Sequence, residues 1–254
     1  MPEAHSARLV TSVTRTLALL AALLVLPSAA AAQQPSDTLR FGVGAAGVFG
    51  GNFLDQPDDL RAFAGSDETL LVYPGFAGGT VGGGVLAELR YAEVFGLELG
   101  AVFSNDRGSG FIDNVRVDIG QTAWHVPITL KGMYPGETWR PGFGMGLEVV
   151  VPSSLRVSTD PLLPTEATRF GGTAGTYGMF TMSGHLEIAL PVRSVDLRIP
   201  FSLRFGVNPG TPDAARDRAS YDLGGADGRE VRAVVFGSEW QYQMMATTGL
   251  SVWF

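Results

Sequence analysis

The chain has 254 residues, a net charge of −7 and no cysteine. The acidic balance excludes the basic footprint of a nucleic-acid-binding domain. The missing cysteine excludes disulfides, thiolate metal sites and lipoprotein anchoring. Hydrophobic residues make up 45% of the chain against 17% charged. Beyond the N-terminus, however, no apolar run approaches the ~18–20 residues of a membrane-spanning helix. The apolar residues must therefore be dispersed, and strand-like alternation disperses them.

The first element is an export signal. Arg8 and Arg15 precede the apolar run Leu17–Leu26, Pro27 breaks it, and Ala30-Ala31-Ala32 follows. A positive region, a short hydrophobic core and a small-residue exit predict a signal peptide over 1–32 and a mature domain over 33–254. The run is too short to span a bilayer as a helix.

Eight alternating segments follow. The first runs from Leu39 to about Phe49, the second over Val81–Tyr91 and the third over Phe95–Phe103. The fourth covers Ala123–Tyr134, the fifth Trp139–Val149 and the sixth Met179–Leu190. In the seventh, Val195, Leu197, Ile199, Phe201, Leu203 and Phe205 alternate with Asp196, Arg198, Pro200, Ser202, Arg204 and Gly206. The eighth extends from about Val234 to Phe254. Each is close to the ~9–11 residues with which a tilted strand crosses a bilayer.

The connections alternate too. Short links at about 92–94, 135–138 and 191–194 separate long ones at about 52–80, 105–122, 152–178 and 209–233. Short periplasmic turns and long extracellular loops are the pattern of outer-membrane barrels. The expected fold is all-β: a transmembrane antiparallel up-and-down β-barrel of eight strands. Ten is the alternative, with Thr69–Tyr73 and Val115–Ile119 as extra strands. In the eight-stranded reading Tyr91, Phe95, Tyr134, Trp139 and Phe254 form an inner aromatic girdle, and Trp124, Trp240 and Tyr242 an outer one.

Parity assigns the opposite face to the lumen. Its charged residues are Arg40, Glu88, Arg90, Glu98, Lys131, Arg140, Glu148, Glu187, Asp196, Arg198 and Arg204, joined by His125 and His185. Acids and bases nearly balance. An eight-stranded interior is just wide enough for side chains to fill it. The expectation is therefore a structural ion-pair network, with glycines such as Gly42, Gly44 and Gly142 making room for long side chains.

Catalytic candidates are few. Ser183, His185 and Glu187 share one strand face, but alternate residues lie about 7 Å apart along a strand, too far for direct hydrogen bonds in ideal geometry. His125 has no serine at the neighbouring same-face position. The Gly42-Val-Gly44-Ala-Ala-Gly47 match to a dinucleotide fingerprint opens a strand with no helix after it, and so lacks its required context. No catalytic residue, cofactor or metal site is expected. The long loops carry 15 acids and 9 bases. The loop over 52–80 combines Asp55, Asp58 and Asp59 with Phe53, Phe63, Leu70 and Leu71. Its apolar content suits a cap over the barrel mouth or a contact surface for an extracellular partner.

Three motifs carry a resemblance. They are the hairpin Leu86-Ala87-Glu88-Leu89-Arg90-Tyr91…Phe95-Gly96-Leu97-Glu98-Leu99-Gly100, the pair Val126-Pro127-Ile128-Thr129-Leu130-Lys131…Arg140-Pro141-Gly142-Phe143-Gly144-Met145-Gly146, and the terminal Val252-Trp253-Phe254. Over roughly Thr38–Phe254 the chain resembles the small outer-membrane β-barrel proteins of Gram-negative bacteria, as in outer membrane protein A and outer membrane protein X. The resemblance implies residence in the outer membrane, contact with its lipid, and Phe254 as part of the signal read by the barrel assembly machinery. No peptidoglycan-binding domain is expected after Phe254. The functional expectation is a monomeric, non-enzymatic barrel with an envelope role or a surface interaction through its loops. A narrow transport pore and a membrane-embedded lipid-modifying enzyme are the alternatives.

Overall fold

The computed structural model describes residues 39–54, 61–64, 69–72, 75–112, 115–159, 168–173, 175–190, 192, 195–210, 232–237 and 239–254. The expected signal peptide, the start of the 33–254 domain and most of the acidic loop residues lie outside the described residues. In chain order the strands are β1 (Leu39–Leu54), β2 (Arg61–Ala64), β3 (Thr69–Val72), β4 (Phe76–Tyr91), β5 (Phe95–Ile112) and β6 (Val115–Met133). They continue as β7 (Trp139–Thr159), β8 (Thr168–Thr173), β9 (Tyr177–Leu190), β10 (Asp196–Val207), β11 (Arg232–Gly237) and β12 (Tyr242–Trp253).

Eight of these close into a barrel in the order β1-β12-β10-β9-β7-β6-β5-β4, with β4 paired back to β1. They are the eight expected segments. The seam between first and last strands runs from Gly42↔Trp253 to Phe53↔Tyr242. Phe254 N donates to Phe41 O at 2.8 Å, extending the seam to the last residue. Closure leaves the sheet no free edge in the membrane. The ten-strand alternative does not hold: β3 pairs with β2 in a separate two-stranded sheet, and Val115–Ile119 lengthens β6.

The eighth expected segment is shorter than its sequence pattern. Arg232–Gly237 leaves the barrel and pairs in parallel with β8, and the barrel strand begins only at Tyr242. Between them the backbone bends at Gln241, where Gln241 N donates to Phe53 O at 3.0 Å and Gln241 O accepts from Asn208 N at 2.8 Å. The bend releases Trp240 from the alternation. Its ring turns into the barrel and is buried, which corrects its expected place in the outer girdle.

The other aromatic positions face outward. Trp139 is 58% and Phe254 73% exposed at the short-turn end. Trp124 packs edge-on against Phe103 at 5.3 Å, and Tyr242 stacks on Phe205 at 6.3 Å, both toward the long-loop end. Between the two ends, Val43, Val85, Leu99, Ile128, Leu147, Phe201 and Leu250 are all exposed. Such a belt is stable only against lipid.

Two local irregularities shape the wall. Pro200, which has no N–H to donate, sits in a gap of the β10–β12 ladder between Arg198↔Ser251 and Phe201↔Thr248. In β7 the register passes from Ala123↔Pro152 to Thr122↔Ser154, leaving Ser153 bulged. A bulge inverts the faces of the strand beyond it. Leu155 and Val157 therefore pack inward on the upper core.

Candidate functional site

The lumen is the part of the barrel richest in chemistry, and it is built in layers. At the periplasmic end, five acids (Glu88, Glu93, Glu98, Glu187, Asp196) meet five bases (Arg40, Arg90, Lys131, Arg140, Arg198). Arg90 donates from Nη1 to Glu187 Oε2 at 2.8 Å and from Nε to Glu88 Oε1 at 2.7 Å. Lys131 Nζ donates to Glu88 Oε2 at 2.9 Å and also reaches Glu98. Arg198 holds Asp196 at 2.8 Å and approaches Glu187 at 3.3 Å. Arg40 bridges Glu93 and Asp196, each at 2.8 Å. Buried charges persist only when paired in this way.

Two residues organise this layer. The first is Trp253, the inward neighbour of the terminal Phe254. The guanidinium groups of Arg90 and Arg198 both lie over its ring, each 4.3 Å from the ring centroid, so the π-face of one tryptophan serves two cations. The ring fits because Gly42 lies opposite: a Cβ there would come within 2.6 Å of Trp253 Cε2. Gly42 thus makes room for a tryptophan and not for an arginine or glutamate.

The second is Glu93, which parity analysis does not select because it lies in a turn. Ala92 and Glu93 have φ of 53° and 60°, and Val94 N donates to Tyr91 O at 3.1 Å. Two successive left-handed residues define a type I′ turn, whose twist suits a tight hairpin. The turn brings the Glu93 carboxylate across the barrel mouth. There Oε2 accepts from Arg140 at 2.5 Å and lies 3.3 Å from Arg198 Nη1, while Oε1 accepts from Arg40. Burial alone would raise the Glu93 carboxyl, but the hydrogen bond from Arg40 and the charges of Arg198 and Arg140 hold it below the ordinary value of 4.5.

Of the eleven charged lumen residues selected from the sequence, nine fall in this periplasmic layer. Glu148 and Arg204 do not. They form their own pair higher in the barrel, with Arg204 Nε 3.0 Å from Glu148 Oε2, close enough for an ion pair but not aligned as a hydrogen bond. Val48, Val102 and Met245 pack as a small apolar cluster in the interior.

Glu148 also binds His125, and here the lumen contains a chain that sequence reasoning missed. Glu148 Oε1 lies 2.5 Å from His125 Nδ1, and His125 Nε2 lies 2.9 Å from Ser104 Oγ. Ser104 in turn donates to Asp106 Oδ1 at 2.8 Å, which also accepts from Thr80 Oγ1 at 2.5 Å. Serine, histidine and acid stand on three consecutive barrel strands, β5, β6 and β7. The order and spacing are those of an activated nucleophile. All four of Ser104, Asp106, His125 and Glu148 are fully buried, however. The serine proton also has a carboxylate acceptor competing with the histidine.

The other histidine departs from ideal strand geometry. Ser183 Oγ lies 2.7 Å from His185 Nε2, although backbone spacing alone argued against direct contact. The imidazole leans along the strand toward the hydroxyl. Glu187, which would complete a relay, is instead committed to Arg90 and Arg198.

The extracellular end of the lumen holds an apolar core. Leu54, Phe76, Val117, Ile119, Ala123, Val150, Tyr177, Met179 and Trp240 form one buried cluster, with Leu155 and Val157 packed on it. Trp240 is its largest member and is 2% exposed. Gly108 makes room for it, since a Cβ there would lie 2.6 Å from Trp240 Cη2. Just below, Gln243 Nε2 donates to Asn52 Oδ1 at 2.8 Å across the seam.

No known sequence family matches the chain, and no curated protein does. Solved barrels do. The N-terminal β-barrel domain of Pseudomonas aeruginosa OprF is 12% identical over 84% of this chain and 97% of that one, with a TM-score of 0.30. The attachment invasion locus protein Ail of Yersinia pestis, solved with the heparin analogue sucrose octasulfate, is 8% identical over 85% and 99%, with a TM-score of 0.34. The translocator domain of the autotransporter NalP from Neisseria meningitidis is 12% identical over 95% and 97%, with a TM-score of 0.29. Likenesses at this level assign neither activity nor ligand. The closed register, apolar belt and charged lumen of this chain define a small β-barrel of the Gram-negative outer membrane, in contact with its lipid.

Proposed function

We propose that the chain is a non-enzymatic, closed barrel that acts through its extracellular side, as an envelope component or by surface interaction through its long loops. The observation that supports this reading is that the lumen is filled at both ends, by ion pairs at one and by an apolar cluster at the other. In this reading residues 1–32 are removed on export and 33–254 form the working domain. The eleven charged lumen residues hold the wall together, and Phe254 is read by the assembly machinery. The barrel works as a monomer without a cofactor. Planar-bilayer recording of the refolded chain tests the closure. Silent membranes are expected, and a steady ohmic current would overturn it in favour of a transport pore.

A second reading, a membrane-embedded hydrolase, draws on Ser104, His125 and Glu148. Their burial and the rival acceptor Asp106 weigh against it. Labelling with a fluorophosphonate probe separates the two. No label on Ser104 is expected, whereas a label lost in Ser104→Ala would establish a reactive serine.

A further inference from the structure

Beyond the apolar belt, the wall formed by β5, β6 and β7 continues outward with a different chemistry. Among the described side chains of this wall, Phe103, Trp124 and Val151 share the last large apolar outward rung. Two outward positions further on, Arg107, Gly120 and Arg156 share a rung, with Arg107↔Gly120 and Gly120↔Arg156 in register. Arg107 and Arg156 are exposed and point away from the lumen. Two strand spacings separate them, about 10 Å. Gly120 between them leaves a gap, for a Cβ there would meet nothing nearer than 3.9 Å. Among the described residues neither arginine has an ion pair or hydrogen-bond partner.

Beside this rung lies a groove of about 350 Å³, lined by Ala77, Gly79, Arg107, Ser109, Arg116 and Asp118. Arg116 Nε donates to Asp118 Oδ1 at 2.9 Å, the one ion pair on this face among the described residues. Among the described residues, three guanidinium groups against one carboxylate make the patch cationic, on a chain whose net charge is −7. The sign therefore does not follow from the average composition.

Height identifies the occupant. Four residues beyond the last apolar rung, along a strand tilted ~45°, the arginine rung stands about 9–10 Å above the hydrocarbon. That is the headgroup zone, and the long arginine stems can reach down into it. An unpaired guanidinium there faces lipid phosphate, whose oxygens it binds in a bidentate manner.

We propose that Arg107 and Arg156, with Arg116 four residues further out on β6, form a site for a phosphate-bearing glycolipid of the outer leaflet, with a phosphate seated over Gly120 between the first two. The site rests on the barrel's place in the membrane and not on whether the lumen conducts. The gap at Gly120 admits the headgroup, and the adjoining small-residue groove accommodates the sugar or upper acyl region. Asp118 moderates the site by holding Arg116.

The test uses the full chain refolded into phosphatidylcholine nanodiscs doped with either lipopolysaccharide or the same lipopolysaccharide after enzymatic dephosphorylation. Native mass spectrometry counts the retained glycolipid. The parent is expected to retain the phosphorylated form at least about tenfold better, the factor expected for loss of charge-assisted hydrogen bonds. Arg107→Gln/Arg156→Gln is expected to abolish the preference, and Asp118→Asn to increase retention by freeing Arg116. Heat-modifiable gel migration should be unchanged in both, since these side chains lie outside the lumen; a variant that fails it is replaced by Arg107→Lys/Arg156→Lys, which keeps charge but loses the fork and should retain an intermediate amount. Equal retention of the two glycolipids by the parent, or by parent and double variant, would overturn the site. So would displacement of the glycolipid by inorganic phosphate or a sulfated polysaccharide at equal anion concentration, which would mark a patch for soluble polyanions. Loss of the barrel in every variant and in the parent would instead overturn the membrane reading.

Discussion

The two ends of the lumen are filled by opposite means. At the periplasmic end the filling is made of charges that satisfy one another, with five acids and five bases around one tryptophan. At the extracellular end it is made of an apolar core with another tryptophan at its centre. Trp253 is held by cations and Trp240 by methyl and ring contacts. The difference teaches that a narrow barrel can be filled either as a protein core or as a salt lattice. It also implies different failure modes. Apolar packing loses stability in proportion to the volume removed, whereas an ion lattice fails when any member leaves a neighbour unpaired.

The largest expected effect breaks the lattice. Arg90→Ala strips a partner from both Glu88 and Glu187. A loss of about 3–5 kcal/mol is expected, read as a lower urea midpoint in refolded liposomes. A change under about 1 kcal/mol would mean that the remaining bases compensate and that the lattice is not cooperative.

Next comes the core. Trp240→Ala should cost about 3 kcal/mol by cavity formation, measured by the same unfolding curve. The variant should still carry no steady current, because the ionic layer remains. Ohmic conductance from this single change would show that the two closures are not independent.

The third expectation separates the ends by pH. Glu93 titrates below its ordinary 4.5 in the folded barrel. Its contribution is therefore complete above that value and is lost as pH falls through the depressed one. Thermal unfolding followed from pH 7 downward should weaken below about 4.5 in the parent, and less steeply in Glu93→Gln. Parallel curves for the two would remove Glu93 from the acid response. The smallest effect is a gain. Ala92 at φ 53° tolerates glycine without steric penalty, so Ala92→Gly should stabilise the barrel by about 0.5–1 kcal/mol. A loss would show that the buried methyl matters more than backbone strain.

Much of this was legible in the sequence, and the reasons differ by region. Period-two alternation located all eight barrel strands, because a wall with lipid outside and charge inside leaves no other pattern for Val195–Val207 or Phe95–Phe103. Parity also placed Arg40, Glu88, Arg90, Glu98, Lys131, Arg140, Glu187, Asp196 and Arg198 on the inner face, where the structure joins them. Parity says nothing about turns, so Glu93 was missed. A signal existed in the three-residue link Ala92–Val94, too short for anything but a tight left-handed hairpin. The Ser104–His125–Glu148 chain was missed because it depends on register between strands. Counting outward from the short turns would have placed the three residues at one level. Trp240 was misplaced because a bend between β11 and β12 resets the alternation, and no residue pattern marks that bend. The bulge at Ser153 is equally silent in sequence, yet it decides that Leu155 and Val157 complete the upper core.

The Ala92–Glu93 turn has one more consequence. Of the eight barrel strands in chain order, Arg40 belongs to the first, Arg140 to the fifth and Arg198 to the seventh. One carboxylate meets all three only across a mouth of a single diameter, and in barrels diameter follows strand number. With a strand missing or a strand gained, the three guanidinium groups would face one another at the wrong distance with nothing between them. The tip of one hairpin thus acts as a gauge of circumference. Its three contacts fit the eight-stranded cylinder that the seam between Phe41 and Phe254 closes.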